Sequence, residues 1–236
     1  MSLKFIFFIP KYIYQALRFL IKGGKINRLV PIDQSKEQAG QLMHHYFLQD
    51  VLVASYIYKQ KPKRHIDIGS RIDGFVAHVA SFRPIEIIDI RPLNINFKNI
   101  SFIKSDITNE NFSNSIKCDS VSCLHALEHF GLGRYGDKID PNGHLKGIKN
   151  ILNMLEKDGY AYISFPISTI DHVNFNSERV FRPMQIMEWI DKEKFFLERF
   201  DYIDDNENLN LGVNPEVELK DLKNGCGIYT IINREK

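Results

Sequence analysis

The chain has 236 residues, 44% of them apolar and 25% charged, a size and balance that can bury one full core without disulfides or a structural metal. Its net charge of +2 is unevenly placed: residues 1–28 carry Lys4, Lys11, Arg18, Lys22, Lys25 and Arg28 and no acid, which leaves the remainder at −4. That remainder lacks the dense Lys/Arg field of a nucleic-acid binder, and Cys118, Cys123 and Cys226, with no C-x-x-C pair, fit a reduced, cytoplasmic setting.

The first predicted element is a basic arm, residues 1–28. Residues 5–21 read FIFFIPKYIYQALRFLI; Pro10, Lys11 and Arg18 interrupt the apolar run and no small-residue cleavage motif follows, so neither a spanning helix nor a signal peptide is expected. Lys4, Lys11, Arg18 and Lys25 recur every seven residues and form one stripe on a helix, opposite a wide Phe/Ile/Leu/Tyr surface. Pro10 is expected to bend or divide this helix and Gly23-Gly24 to end it. Such a surface suits packing on protein or peripheral contact with an anionic membrane.

Residues 29–236 read as one domain. A helix is expected over 35–59, with Leu42, Tyr46, Val53 and Ile57 facing inward. Short β-branched strands then alternate with helices. His65–Ile68 is a strand ending at Gly69, followed by a helix over 73–82 and a strand over 85–90. Ile103 lies in a third strand before Asp106, and 120–124 is a fourth. After a glycine-containing loop at 130–143 come a helix over 144–155, a turn at Lys157-Asp158-Gly159 and a strand over 160–165. A helix over 183–194 and strands over 196–203 and 227–232 complete the chain. This alternation predicts an α/β, Rossmann-like fold with a mainly parallel sheet and helices on both faces.

Ligand groups gather outside the carboxyl ends of the strands in such sheets. Those ends carry Asp67, Gly69, Ser70, Asp89, Asp106, His125 and Pro166. Gly69 lets backbone approach a ligand, and Gly74 lets the next helix pack closely. Asp89, 20 residues after Gly69, is placed to accept hydrogen bonds from ribose hydroxyls, and Asp106 to accept from an adenine amino group. The string has no G-x-G-x-x-G phosphate cradle, which favours a cofactor without phosphate, S-adenosylmethionine, over a dinucleotide.

The same spacing resembles the class I S-adenosylmethionine-dependent methyltransferases. By that resemblance Asp67 and Gly69 fall in the loop that holds the methionine part, Asp89 takes the ribose and Asp106 faces adenine. HALEH (125–129) resembles the HVLEH that follows the fourth strand in many small-molecule methyltransferases. LEKDGYAYIS (155–164) resembles their L-K-P-G-G-x-L-x-I-S turn and fifth strand. Arg71 and Asp73 stand where many relatives have glycine, and Lys157-Asp158 replaces Lys-Pro. IDIGSRIDGFVAHVASFRPIEIIDIRP, LHALEHFGLGRYGDKIDPNGHLKG and VNFNSERVF resemble, over roughly residues 40–200, the bacterial domain-of-unknown-function family 268. That family is grouped with the methyltransferases and often accompanies surface-polysaccharide genes. The resemblance implies a class I methyltransferase fold and a small-molecule or glycan acceptor, methylated on a saccharide oxygen.

His125, Glu128 and His129 spell H-x-x-E-H, and on a helix they share one face. As a metal-dependent hydrolase the two histidines would hold zinc with Glu128 as base. As a methyltransferase, His125 would shape the cofactor wall, and His129 or Glu128 would take a proton from an acceptor hydroxyl. A third reading has the histidines only capping or packing. Loop 130–143 is expected to close over a polar acceptor, and its Asp137 and Asp140 with His129 form a candidate divalent-metal set. The altered glycine loop also keeps open a catalytically lapsed binding or scaffolding protein. His44-His45 point apart on a helix and make no ligand pair, while Tyr46 and Asp50 are candidates for the entrance to the site, with core packing and a solvent face the simpler placements. Asn174, Asn176, Glu178 and Arg179 are candidates for acceptor selection.

Overall fold

The structure, a computed structural model, describes residues 3–32, 44–110, 112, 116–214, 219 and 222–235. Its residues fall into two compact units, Met1–Leu42 and Met43–Lys236. In the first, α1 (Leu3–Ile21) is a single helix that Pro10 does not divide. It ends at a glycine: Gly23 takes φ +84°, Gly23 N–H donates to the Leu20 carbonyl at 2.9 Å and Gly24 N–H to that of Phe19 at 3.0 Å. Among the described residues no helix is long and apolar enough to cross a membrane.

The second unit opens with α2 (His44–Gln60), whose Val53 and Ile57 are buried as expected; the predicted start of this helix, with Leu42, lies outside the described residues. The strands are β1 (His65–Ile68), β2 (Ile85–Asp89), β3 (Ile100–Lys104), β4 (Cys118–Leu124), β5 (Leu155–Ile167), β6 (His172–Asn174), β7 (Glu178–Val180), β8 (Phe195–Ile203), β9 (Leu209–Asn210) and β10 (Gly225–Asn233). Among the described residues eight of them form one sheet in the order β3-β2-β1-β4-β5-β10-β8-β9, and β6-β7 make a separate hairpin. β3, β2, β1, β4 and β5 run parallel, whereas β10 is antiparallel to both β5 and β8. The order reverses between β1 and β4, so a crevice opens where these two strands end.

Two apolar layers hold the sheet. One face packs Ile66, Ile68, Val121 and Ile163 under Ile148, Ile151 and Leu152 of α4 (Gly143–Asn153). The other packs Ile87, Leu124 and Ile228 against α2 and against α3 (Ala77–Ala80).

Three segments depart from expectation. The helix placed over 73–82 is a π-turn at Ile72–Val76 followed by the four residues of α3. A side chain at Gly74 would run into the Asp50 carboxylate of α2, so helix and turn can approach only through glycine. The helix placed over 183–194 shrinks to α5 (Ile186–Trp189), because Ile190 turns extended and Asp191 starts a new turn, its carboxylate accepting from Glu193 N–H at 3.0 Å. The turn at 157–159 is a bulge within β5: Cys118 pairs Leu155, Ser120 pairs Tyr160, and Asp158 between them takes φ +61°.

Candidate active site

The first loop is built on a buried polar chain. Asp67 is fully buried and accepts from Ser122 Oγ at 2.5 Å, Ser70 Oγ at 2.6 Å and Ser70 N–H at 3.0 Å. Because Ser122 gives its proton to Asp67, it accepts from His65 Nε2 at 3.1 Å, and His65 Nδ1 accepts from Ser120 Oγ at 2.7 Å. This polarity makes His65 a neutral ring with its proton on Nε2. Burial pushes the Asp67 carboxyl up to about 6, against the serine hydrogen bonds that favour its ionised form. Asp67 therefore braces the loop and lines neither of the two cavities described below, and Gly74 serves packing. Gly69 does face the crevice, at φ +68°, where a Cβ would lie 3.1 Å from that of Ala126.

A cleft of about 840 Å³ opens at the ends of β1, β2 and β4, and Gly69, Ser70, Asp89, His125, Glu128 and His129 all line it. A smaller recess of about 50 Å³ adjoins it, walled by Ile90, Ile107, Ala126 and Phe130 with Asp106 at its edge. Gly69, Asp89 and His129 border both. Asp89 is not a bare acid. Its Oδ1 accepts from the N–H of Arg91 at 2.8 Å and its Oδ2 from Arg91 Nη2 at 2.7 Å. The Arg91 guanidinium lies 4.3 Å from the centre of the Tyr135 ring. Asp106 accepts from Thr108 N–H at 2.8 Å and Thr108 Oγ1 at 2.7 Å, forming a turn that presents its carboxylate to the recess.

The H-x-x-E-H segment is not a helix face. His125 takes φ +49°, a conformation few non-glycine residues adopt, and only Leu127–His129 form a 3₁₀ turn. This geometry draws the three residues together around one carboxylate. Glu128 is 1% exposed; its Oε1 accepts from His125 Nδ1 at 3.0 Å and lies 3.7 Å from His129 Nε2. Among the described residues its Oε2 has no partner. His129 Nδ1 donates to the Ser177 carbonyl at 2.6 Å, and since a carbonyl only accepts, the neutral ring keeps a bare Nε2. Burial opposes charging of His125, but the Cys226 sulfur and the Glu128 carboxylate outweigh it and hold its pKa well above the ordinary value. His125 Nε2 then donates to Cys226 Sγ at 3.3 Å, whose thiol donates to Gln49 Oε1 at 3.4 Å. Both nitrogens of His125 and one of His129 are committed to protein partners. Asp137 accepts from the N–H groups of Gly131 and Gly133, and Asp140 from Asn142 N–H and Lys146. The expected metal sets are therefore not assembled, and among the described residues no group of three His, Cys, Asp or Glu side chains could hold an ion.

Loop 130–143 lies over the recess through Tyr135, which also meets His129 edge-on at 5.5 Å. Its anchor is Arg179 of β7, expected to face an acceptor but in fact buried. Its Nη1 donates to the carbonyls of Glu128 and Phe130, and its Nη2 to those of Asp140 and Pro141, at 2.7–3.4 Å. Of its neighbours Glu178 lines the cleft, while Asn174 binds Glu178 at 2.7 Å. Sequence reasoning missed His45, set aside because neighbours diverge on a helix, while Tyr46 takes the entrance position that was its alternative to core packing. Both rings line the cleft against His125, with centroids 4.7 and 4.9 Å away.

The sheet order, with antiparallel β10 between β5 and β8 and a crevice at the reversal point, defines a class I methyltransferase-like, Rossmann-like fold. Over residues 79–195 the chain is similar to the family described as "Caenorhabditis protein of unknown function, DUF268". No curated protein is significantly similar to it. Among solved structures it is similar to the N-methyltransferase NodS from Bradyrhizobium japonicum WM9 in complex with S-adenosyl-L-homocysteine, with a TM-score of 0.55, 16% identity, and coverage of 80% of this chain and 86% of that one. It is also similar to 1,6-didemethyltoxoflavin-N1-methyltransferase from Burkholderia thailandensis, bound to 1,6-didemethyltoxoflavin and S-adenosylhomocysteine (TM-score 0.56, 11% identity, 80% of each chain). The (4+2) cyclase SpnF is similar over 97% of this chain and 96% of its own, with a TM-score of 0.60 and 12% identity. Identities this low establish the fold, and one of the three proteins is a cyclase, so the chemistry must be argued from the site.

Proposed function

We propose that the protein is an S-adenosylmethionine-dependent methyltransferase of the cytoplasm that methylates an oxygen of a saccharide or saccharide precursor. The observation that carries this reading is the pairing, in one cleft, of a His129 whose Nε2 is bare with a buried Glu128 whose Oε2 is unpartnered among the described residues. The cofactor supplies, when bound, a methyl group on a cationic sulfur. The residues present fit it: the Cβ-free backbone at Gly69 leaves room for close approach, Asp89 borders both cavities, and the apolar recess beside Asp106 suits a flat heterocycle. A saccharide hydroxyl is a weak nucleophile, so its proton must leave as the oxygen reacts. His129 accepts that proton at Nε2, the Ser177 carbonyl fixes its tautomer, and the Glu128 carboxylate steadies the imidazolium that forms. His125, held charged between Glu128 and Cys226, holds that carboxylate in place. Loop 130–143 excludes water from the site through Tyr135.

One observation favours a second reading. Both oxygens of Asp89 are already engaged by Arg91, and Arg71 pairs with Asp73 at 3.2 Å on the first loop, as in a lapsed fold that binds no cofactor. Titration calorimetry with S-adenosylmethionine and S-adenosylhomocysteine separates the two. Binding is expected, weakened about tenfold or more in Asp89→Ala and unchanged in His129→Gln, whose methyl transfer to a saccharide acceptor falls instead. Absence of binding to either compound overturns the methyltransferase reading in favour of the lapsed one.

A further inference from the structure

The first unit carries a surface that the cleft chemistry does not use. On α1, Ile13, Leu17, Leu20 and Ile21 follow one another at i, i+4, i+7 and i+8 and are 47–84% exposed. After the glycine turn the chain runs back along this face, so that Ile26 and Leu29 share a shallow groove with Ile13, Leu17 and Leu20. Leu29, Val30 and Ile32 are themselves more than half exposed. Lys11, Arg18 and Lys22 run along another side of the helix, and Lys25 follows the turn. Residues 3–32, the described residues of this unit, contain no Asp or Glu.

Exposed apolar surface of this extent marks an interaction site. The charge decides between occupants. The buried centre of a protein–protein interface is depleted in lysine, whereas a helix with a broad apolar face bordered by cations lies flat in the headgroup layer of an anionic bilayer. There the apolar side chains enter the acyl boundary and the lysines and arginine extend to lipid phosphates. The helix is not apolar enough to go further and cross. We propose that residues 8–32 form an in-plane anchor that binds the surface of an anionic membrane. This anchor stands independently of the cofactor reading.

Co-sedimentation of the full-length protein with phosphatidylcholine vesicles, with and without phosphatidylglycerol, tests it. Binding is expected only to the anionic vesicles, and it should decline as salt is raised. The triple change Lys11→Glu, Arg18→Glu, Lys22→Glu is expected to reduce partitioning by about tenfold or more, and Leu17→Ser with Leu20→Ser to abolish it. Thermal unfolding and S-adenosylhomocysteine titration should be unchanged in both variants, which separates a failed anchor from a failed fold or cofactor site. No binding to anionic vesicles, or equal binding by the charge-reversed variant, overturns the proposal. A dimer in sedimentation velocity that Leu17→Ser dissociates, without vesicle binding, assigns the face to a second copy of the chain instead.

Discussion

His65 and Asp67 occupy successive positions on one face of β1, and burial moves each away from its ordinary pKa. Burial, with the Arg83 charge nearby, pushes the His65 ring down to about 3, while burial raises Asp67 to about 6. The consequences for stability have opposite signs. Below pH 6.5 the unfolded chain protonates at His65 and the folded chain does not, so the stability it contributes is complete above that pH and lost as pH falls. For Asp67 the folded state takes up the proton first, so its contribution is present at low pH and lost as pH rises towards 6. His144, lowered to about 4 by burial and then by Arg179, acts with His65; His125, raised, contributes to the pH dependence only above this window. Asp50, raised by burial, acts with Asp67. Between pH 6.5 and 4.5 His65 alone is expected to contribute a fall in stability of about 1.4 kcal/mol per pH unit, read by denaturant unfolding. His65→Gln should flatten that dependence by about the same slope; an unaltered slope would show that His65 is not buried in its neutral form.

At the scale of elements, the site depends on how one turn and one loop are held. The four carbonyls that Arg179 caps belong to the turn after β4 and to both ends of loop 130–143, so this one side chain ties that turn to the loop. Arg179→Met retains much of the packing but leaves these acceptors unpaired, at a cost of about 3 kcal/mol. Hydrogen exchange across 130–143 should then accelerate while the amides of β1 and β4 keep their protection; equal protection in both proteins would refute the tie. None of this is visible in VNFNSERVF, because β6 and β7 are three-residue strands too short for a periodic signal and Arg179 acts on residues some 40 to 50 positions away. The strands of the parallel sheet were legible for the opposite reason. HIDI and IEIID are β-branched runs buried on both sides, each closed by a residue that faces the crevice. The two helices that fell short did so through tertiary detail: Asp50 pressed against Gly74, and a new turn begun at Asp191.

Over the whole molecule, strand order turns local signals into a site. Asp89, Asp106, Glu128 and His129 are separated in sequence but meet at one crevice because β2, β3 and β4 all end there. Their positions could be read from the chain; their partners could not. Cys226, 101 residues from His125, reaches it only because β10 inserts antiparallel beside β5. Arg91, two residues from Asp89, was overlooked because a charged residue after a strand ordinarily faces solvent. Asp67 was read as a cofactor contact because it sits in the expected motif, whereas its neighbours Ser70 and Ser122 draw it inward as a brace. The basic arm lies within the unit Met1–Leu42 and adds a surface the cleft does not require.

The proposed function requires this cleft to bind a sulfonium cofactor with its reactive end towards Glu128 and His129. A crystal structure of the full chain with S-adenosylhomocysteine tests it most directly. The homocysteine part is expected over Gly69 and Ser70, the ribose on Asp89 with Arg91 displaced, adenine in the recess beside Asp106, and the sulfur facing Glu128 and His129. A ligand seated elsewhere, or a cleft that stays closed by the Arg91–Asp89 pair at saturating S-adenosylhomocysteine, would contradict it.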